Sequence, residues 1–137
     1  MQYFFLTFCI KHTHVISLLS NYHKSLIKIK NFAGLQTIVK SDYPTYSGIM
    51  LERYFKQQFA ESLQYRAIGS WWEPKGNQNE IDIVALKLEK KQAVIAEVKR
   101  QKKNFKPKLL TEKVKHLKNK LLPKYLIEEV SLSLNDM

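Results

Sequence analysis

The stretch 80-EIDIVALKLEKKQAVIAEVK-99 decides the fold of this chain. Two runs rich in Ile, Val, Ala and Leu, residues 80–88 and 93–99, flank the polar connection Glu89-Lys90-Lys91-Gln92, whose length suits a hairpin. Ile81, Ile83 and Ala85 would lie beside Val94, Ala96 and Val98 on one face, and the other face is largely apolar too, the pattern of strands covered on both sides. Three charged residues interrupt that pattern. A symmetric turn sets Asp82 opposite Lys99 and Val84 opposite Glu97, and period-two alternation then projects Asp82, Glu97 and Lys99 from one face near one end. The backbone diagonal from Asp82 to Glu97 would be roughly 7–8 Å, within reach of two carboxylates that share a metal ion.

Unpaired charges on a buried hairpin would cost several kcal/mol, so these three should neutralise one another or bind a cation. A divalent ion on Asp82 and Glu97 meets that need. Lys99 would then orient or deprotonate an attacking water and offset charge growing on a phosphate. The bland alternative is a strand-end salt bridge between Asp82 and Lys99 with Glu97 solvated, and geometry alone leaves both open. Glu52 reads as a solvent-facing helix acid, and Glu80 as a solvated strand-start acid or an auxiliary ligand.

Working outward, residues 65–72 form a β-prone, aromatic run that ends in the loop residues Glu73, Pro74, Lys75, Gly76 and Asn77. Before it, Leu51, Tyr54, Phe55, Phe59 and Leu63 follow the spacing of one helix face, with Ser47 as a start signal. After the hairpin, Pro107 opens an amphipathic helix on Leu110, Val114, Leu117 and Leu121 that Pro123 stops. Val130, Leu132 and Leu134 alternate as a half-buried strand. The domain order is therefore helix, three strands, helix, strand, an α/β fold. Residues 1–40 read as helical, with Asn31 as a cap for Phe32, Leu35, Ile38 and Val39. Pro44 is expected to break that helix, which divides the chain into a helical N-terminal segment, 1–41, and a domain, 42–137.

At 137 residues the chain has room for one compact domain with a short appendage. Its net charge of +11 favours an anionic partner, nucleic acid before an acidic membrane surface. From Lys99 to Lys124 there are eleven Lys or Arg against the single acid Glu112, an excess of +10. Placed directly after a suspected phosphodiester-cleaving motif, that excess suits backbone recognition, with Arg100, Lys102, Lys103, Lys113, Lys115 and Lys118 as the candidate contacts. A solvated helix face is the plainer reading. The lone Cys9 calls for no oxidising compartment, which points to the cytoplasm. The apolar run at residues 3–10 is too short to span a bilayer and lacks signal-peptide flanks, so no membrane attachment is expected; burial against a partner explains it better.

At Asp82 and Glu97-Val98-Lys99 the chain resembles the PD-(D/E)XK nuclease superfamily, whose restriction-endonuclease-like core is αβββαβ. A glutamate on the first helix often completes that site, and Glu52 matches its position. The resemblance implies Glu52, Asp82 and Glu97 as ligands of Mg²⁺ or Mn²⁺, Lys99 as the catalytic lysine, and nucleic acid, DNA first, as substrate. The proline usual before the first acid is replaced, since Glu80-Ile81 stands there. More closely, Tyr46-Ser47-Gly48, Leu51-Glu52-Arg53-Tyr54-Phe55, Ile68-Gly69-Ser70-Trp71-Trp72 and Ala96-Glu97-Val98-Lys99 are similar to the C-terminal DUF domain of archaeal-type AAA ATPases. In those relatives an ATPase module and a winged helix come first. This chain has no G-x-x-x-x-G-K-[ST] run, so it is expected to be a fragment or shortened relative that docks on an ATPase or winged-helix domain through its N-terminal segment.

His12 and His14 form an isolated H-x-H, more often incidental than metal-binding, and His23 and His116 add no spacing. Of Trp71 and Trp72, one should be core. Three functions follow: a metal-dependent nuclease, a noncatalytic nucleic-acid-binding or regulatory module partnering an AAA ATPase, and a protein-interaction remnant.

Overall fold

A computed structural model of the chain describes residues 23–73 and 79–137. The expectations for residues 3–10, for Cys9, His12 and His14, and for the loop at 74–77 lie outside the described residues. The chain divides into two compact units that meet between Tyr46 and Ser47. In the first, the described residues are helical, with a turn of helix at 23–28 and then the start of α1 (Phe32–Glu61). Asn31 caps α1: its Oδ1 accepts the Gly34 N–H at 3.0 Å, satisfying a donor that the first turn leaves unpaired.

Pro44 does not break this helix; it lies inside it. A proline in a helix interior removes one hydrogen bond and costs about 3 kcal/mol. Helix formation is cooperative, however, and the turns beyond the proline are held by tertiary packing of Leu51 and Phe55, so propensity at one position does not decide the outcome. Where α1 does end, Leu63 adopts a left-handed backbone with φ of 55°. It is 82% exposed and so leaves the apolar face on which its spacing put it.

The second unit is a four-stranded mixed sheet between two helices. The strands β1 (Tyr65–Trp72), β2 (Glu80–Lys87), β3 (Gln92–Val98) and β4 (Leu126–Leu132) lie in the order β1-β2-β3-β4. The first three are antiparallel, and β4 runs parallel to β3 after the crossover helix α2 (Pro107–Leu121). The sequence thus folds in the expected order of helix, three strands, helix and strand. One sheet face packs Ile83, Ala85, Val94, Ala96 and Val98 against Leu51 and Phe55 of α1. The other packs Trp71, Ile81, Val84, Ala93 and Ile95 against Leu110, Val114 and Leu117 of α2. Cover on both faces is why β3 is apolar almost throughout.

Trp71 is the core tryptophan and Trp72 is exposed. Leu121, expected in the core, is exposed as well. The chain leaves the helix at Leu122, whose N–H still bonds the Lys118 carbonyl, and Leu122 takes the buried place instead. Among the described residues no helix is long and apolar enough to cross a membrane.

Two details of the sheet position the charged residues. The hairpin pairs Ile83 with Ala96 and Val84 with Ile95, so Val84 does not face Glu97, and the register differs by two residues from that of the symmetric turn. A two-residue shift preserves faces, because side chains alternate with period two. Further along β2 the alternation breaks. Gly69 pairs with Val84 but Trp71 with Ile81, so β2 carries one extra residue there. Ile81 and Ile83 consequently enter opposite cores, with Asp82 at the bulge between them.

Candidate functional site

Asp82 owes its position to that bulge. Beyond the Ile83–Ala96 pair its own carboxylate replaces a ladder partner: Oδ2 accepts the Val98 N–H at 2.7 Å. Its carbonyl accepts the Ser70 hydroxyl at 2.9 Å, which ties the same residue to β1. On β3, Glu97 lies opposite Ser131 of β4, and the Lys99 N–H continues toward β4 by bonding the Leu132 carbonyl at 2.9 Å. The two acids thus sit on the two central strands, each fixed from both sides.

Glu97 is buried, at 7% exposure, and each of its oxygens has a lysine. Lys99 Nζ is 2.9 Å from Oε1 and Lys113 Nζ, reaching over from α2, is 3.2 Å from Oε2. The bland alternative therefore fails on Glu97, which is not solvated; the Lys99–Asp82 pair is the longer one, at 3.9 Å. Burial pushes the Glu97 carboxyl up, but the two lysines outweigh it and hold the group below its usual range. Lys99 is affected in the complementary sense: burial lowers it, but its bond to Glu97 and the charges of Asp82 and Glu97 outweigh that and leave its ammonium raised.

Glu52 reaches the same cluster from α1. Burial, and next the charge of Asp82, push its carboxyl up to about 7, with Lys56 only partly compensating. That is not the behaviour of a solvent-facing helix acid. Lys56 lies one turn on, 3.9 Å from Glu52, and donates to Ser70 Oγ at 2.6 Å, so a chain of two hydrogen bonds links it to the Asp82 carbonyl. Burial lowers the Lys56 ammonium. Asp82 is raised, again by burial first, against the Val98 N–H and Lys99. Glu80 is exposed at the strand start.

The structure thus brings Glu52, Asp82, Glu97 and Lys99 into one electrostatically coupled group and adds Lys56, Ser70 and Lys113, which the motif does not contain. Of the expected nucleic-acid contacts, Lys102, Lys103, Lys115 and Lys118 are exposed, and Arg100 is half-buried. Lys113 belongs to the cluster itself.

As a place for a divalent ion, the cluster has the right donor chemistry, since Mg²⁺ and Mn²⁺ take hard carboxylate oxygens. Two of its carboxyls are also raised, by burial first and then by neighbouring acids, more than the nearby lysines offset. The arrangement is not a ready-made cage: among the described residues no three His, Cys, Asp or Glu side chains gather closely enough to hold a metal. Lysines occupy the Glu97 oxygens that would face an ion.

A family model described as archaeal and bacterial proteins of unknown function, DUF234, matches residues 18–117. The matched region contains Glu52, Asp82, Glu97, Lys99 and Lys113 and stops before β4. No curated protein and no solved structure shows a significant match to the chain.

Proposed function

The chain belongs to the DUF234 family of archaeal and bacterial proteins of unknown function, and from its carboxylate–lysine cluster we propose that it is a metal-dependent phosphodiesterase acting on nucleic acid, of the PD-(D/E)XK type. The observation that carries this reading is the shared environment of Glu52 and Asp82. Two carboxyls from different elements are both pushed upward where the fold could have left them in solvent. Groups so perturbed, in a cluster that also presents lysines, are candidates for chemistry more than for stability.

Glu52, Asp82 and Glu97 are the carboxylates that the motif assigns to the ion, but as they stand they are not close enough together to hold one; an ion bound there would supply Lewis-acid polarisation of a phosphoryl oxygen and a more acidic water. The chain's own part is to orient. Asp82 is fixed by the Val98 N–H, Glu97 by β3 and its lysines, and Lys99 places an ammonium between both acids, where it can steady a water and offset charge on a phosphate. The exposed lysines of α2 and of residues 102–103 would bind the polyanion, DNA before RNA, through its backbone. In a longer assembly the domain would serve an AAA ATPase, and a cytoplasmic location fits that role.

One observation favours a second reading. With both Glu97 oxygens paired to lysines, the cluster is electrostatically satisfied on that side without an ion, as a noncatalytic binding module would be. Incubating the protein with labelled single-stranded, duplex and branched DNA and with RNA, in Mn²⁺ and in chelator, separates the two. Metal-dependent cleavage that Asp82→Asn and Lys99→Met each remove supports the enzyme; binding without cleavage of any substrate leaves the module.

A further inference from the structure

In the first compact unit none of the described residues, 23–46, is buried, although several are large and apolar. Most helices in proteins are stable only because one face is covered by packing, so a helical segment with no buried side chain among its described residues is marginal by itself. Its exposed side chains are ordered. Phe32, Gln36, Val39, Tyr43 and Tyr46 follow one another at intervals of 4, 3, 4 and 3 residues, the repeat of a coiled-coil seam, and all five are exposed, Phe32 by 62%. Pro44 lies about 100° around the helix from Tyr43, off this stripe, so its ring does not interrupt it. Charge is balanced here as well. Between Phe32 and Tyr46 the only charged residues are Lys40 and Asp42, which cancel, in a chain of net charge +11. Nothing in the stretch attracts a polyanion or an acidic membrane, and it carries no net charge to repel its own copy.

We propose that residues 32–46 of α1 pair with the same residues of a second copy in a two-fold helix–helix contact, with Phe32, Val39, Tyr43 and Tyr46 along the seam and Gln36 as its polar layer. A second copy is the occupant that this pattern fits, because a seam of 4 and 3 supplies both the knobs and the holes and a two-fold dimer uses one patch twice. The contact is independent of what the carboxylate–lysine cluster does. It is also small. Each half-exposed aromatic offers on the order of 100 Å², so with Val39 the two copies would cover roughly 800 Å² through these side chains. Stable interfaces cover about 1,200–2,000 Å², so the dimer is a weak one, with a dissociation constant on the order of 10 µM.

Sedimentation equilibrium of the full chain, from about tenfold below to about tenfold above that constant, tests this without any ligand. Wild type should pass from monomer to dimer across the range. A Val39→Glu, Tyr46→Glu double variant, which sets like charges against each other in the seam, should stay monomeric throughout with an unchanged circular dichroism spectrum. A wild type that remains monomeric overturns the proposal. So does a double variant that dimerises as wild type does, because the contact then lies in another part of the chain. Should the double variant not fold, hydrogen exchange on the wild type decides: amides of residues 32–46 must gain protection as concentration rises through the dimer range. Protection that is the same at every concentration, as cover by the same chain would give, overturns the pairing.

Discussion

Glu52 and Glu97 are the same side chain in two environments, and they should respond to pH in opposite ways. The Glu52 carboxyl is pushed up to about 7 by burial and by Asp82, so between its ordinary value of 4.5 and 7 the folded chain binds more protons than the unfolded one. Stability from this group is present below that window and is lost as pH rises through it. Glu52→Gln removes the loss. Urea unfolding at pH 5 and pH 7.5 should show the variant gaining on wild type by about 1 kcal/mol at the higher pH, a figure reduced for a side chain about a third exposed. An identical pH dependence in the two proteins would sink the account. Glu97 is lowered by Lys99 and Lys113 against its burial, so its stabilisation is present above the ordinary carboxyl range and lost as pH falls through its folded value. Glu97→Gln should cost about 2 kcal/mol at neutral pH and progressively less toward pH 3; a constant cost would mean that packing, not charge, is what the substitution removes. Glu97 and Lys99 were legible in the sequence because residues two apart share a face and a two-residue register shift leaves parity intact, whereas at Asp82 the bulge breaks the alternation that parity assumes. Lys56 was legible in principle, four residues after Glu52 on one helix. Ser70 and Lys113 were not, since nothing in their own spacing says which residues the elements carrying them will meet.

At the scale of elements, the strands and α2 could be read from periodicity, whereas the bulge in β2 and the continuity of α1 could not. No glycine or proline marks Asp82 as a bulge, and the alternation of Ile81 and Ile83 argues for a regular strand. Only the pairing with β1, a contact between separate parts of the chain, reveals the extra residue. Pro44 misleads for the converse reason: a strong local signal is overridden by packing further along the same helix. The lysines of α2 also divide by where the helix docks. Lys113 turns to Glu97 and Lys120 to Glu73, while Lys108, Lys115 and Lys118 are exposed and paired with no acid in the ion pairs of the described residues. Lys115 and Lys118, which are among the expected contacts, should therefore report on a polyanion where Lys113 does not. Lys115→Ala with Lys118→Ala should reduce the slope of log affinity against log salt for single-stranded DNA by about 1.4, near 0.7 for each phosphate no longer neutralised. A slope equal to that of wild type would remove the outer face of α2 from the interface.

Across the whole molecule a chain of net charge +11 carries one cluster in which acids and lysines are interleaved, Glu52, Asp82 and Glu97 with Lys56, Lys99 and Lys113, and Glu80 adds its field to the first two acids. The surrounding lysines draw a phosphodiester chain in, while the acids repel the phosphate that comes nearest to them. Divalent cation and nucleic acid should consequently help each other bind, and by thermodynamic linkage the factor must be the same in both directions. With a phosphorothioate single strand to suppress cleavage, saturating Mg²⁺ at constant ionic strength should tighten binding by about tenfold, within the usual range of such couplings. The same addition should have little effect on a Glu52→Gln, Asp82→Asn double variant, whose affinity without Mg²⁺ should already exceed that of wild type because the repulsion is gone. This second comparison is the sharper one. If neutralising both acids fails to improve metal-free binding, nucleic acid lies away from the cluster, and the basic surface and the carboxylates serve separate purposes.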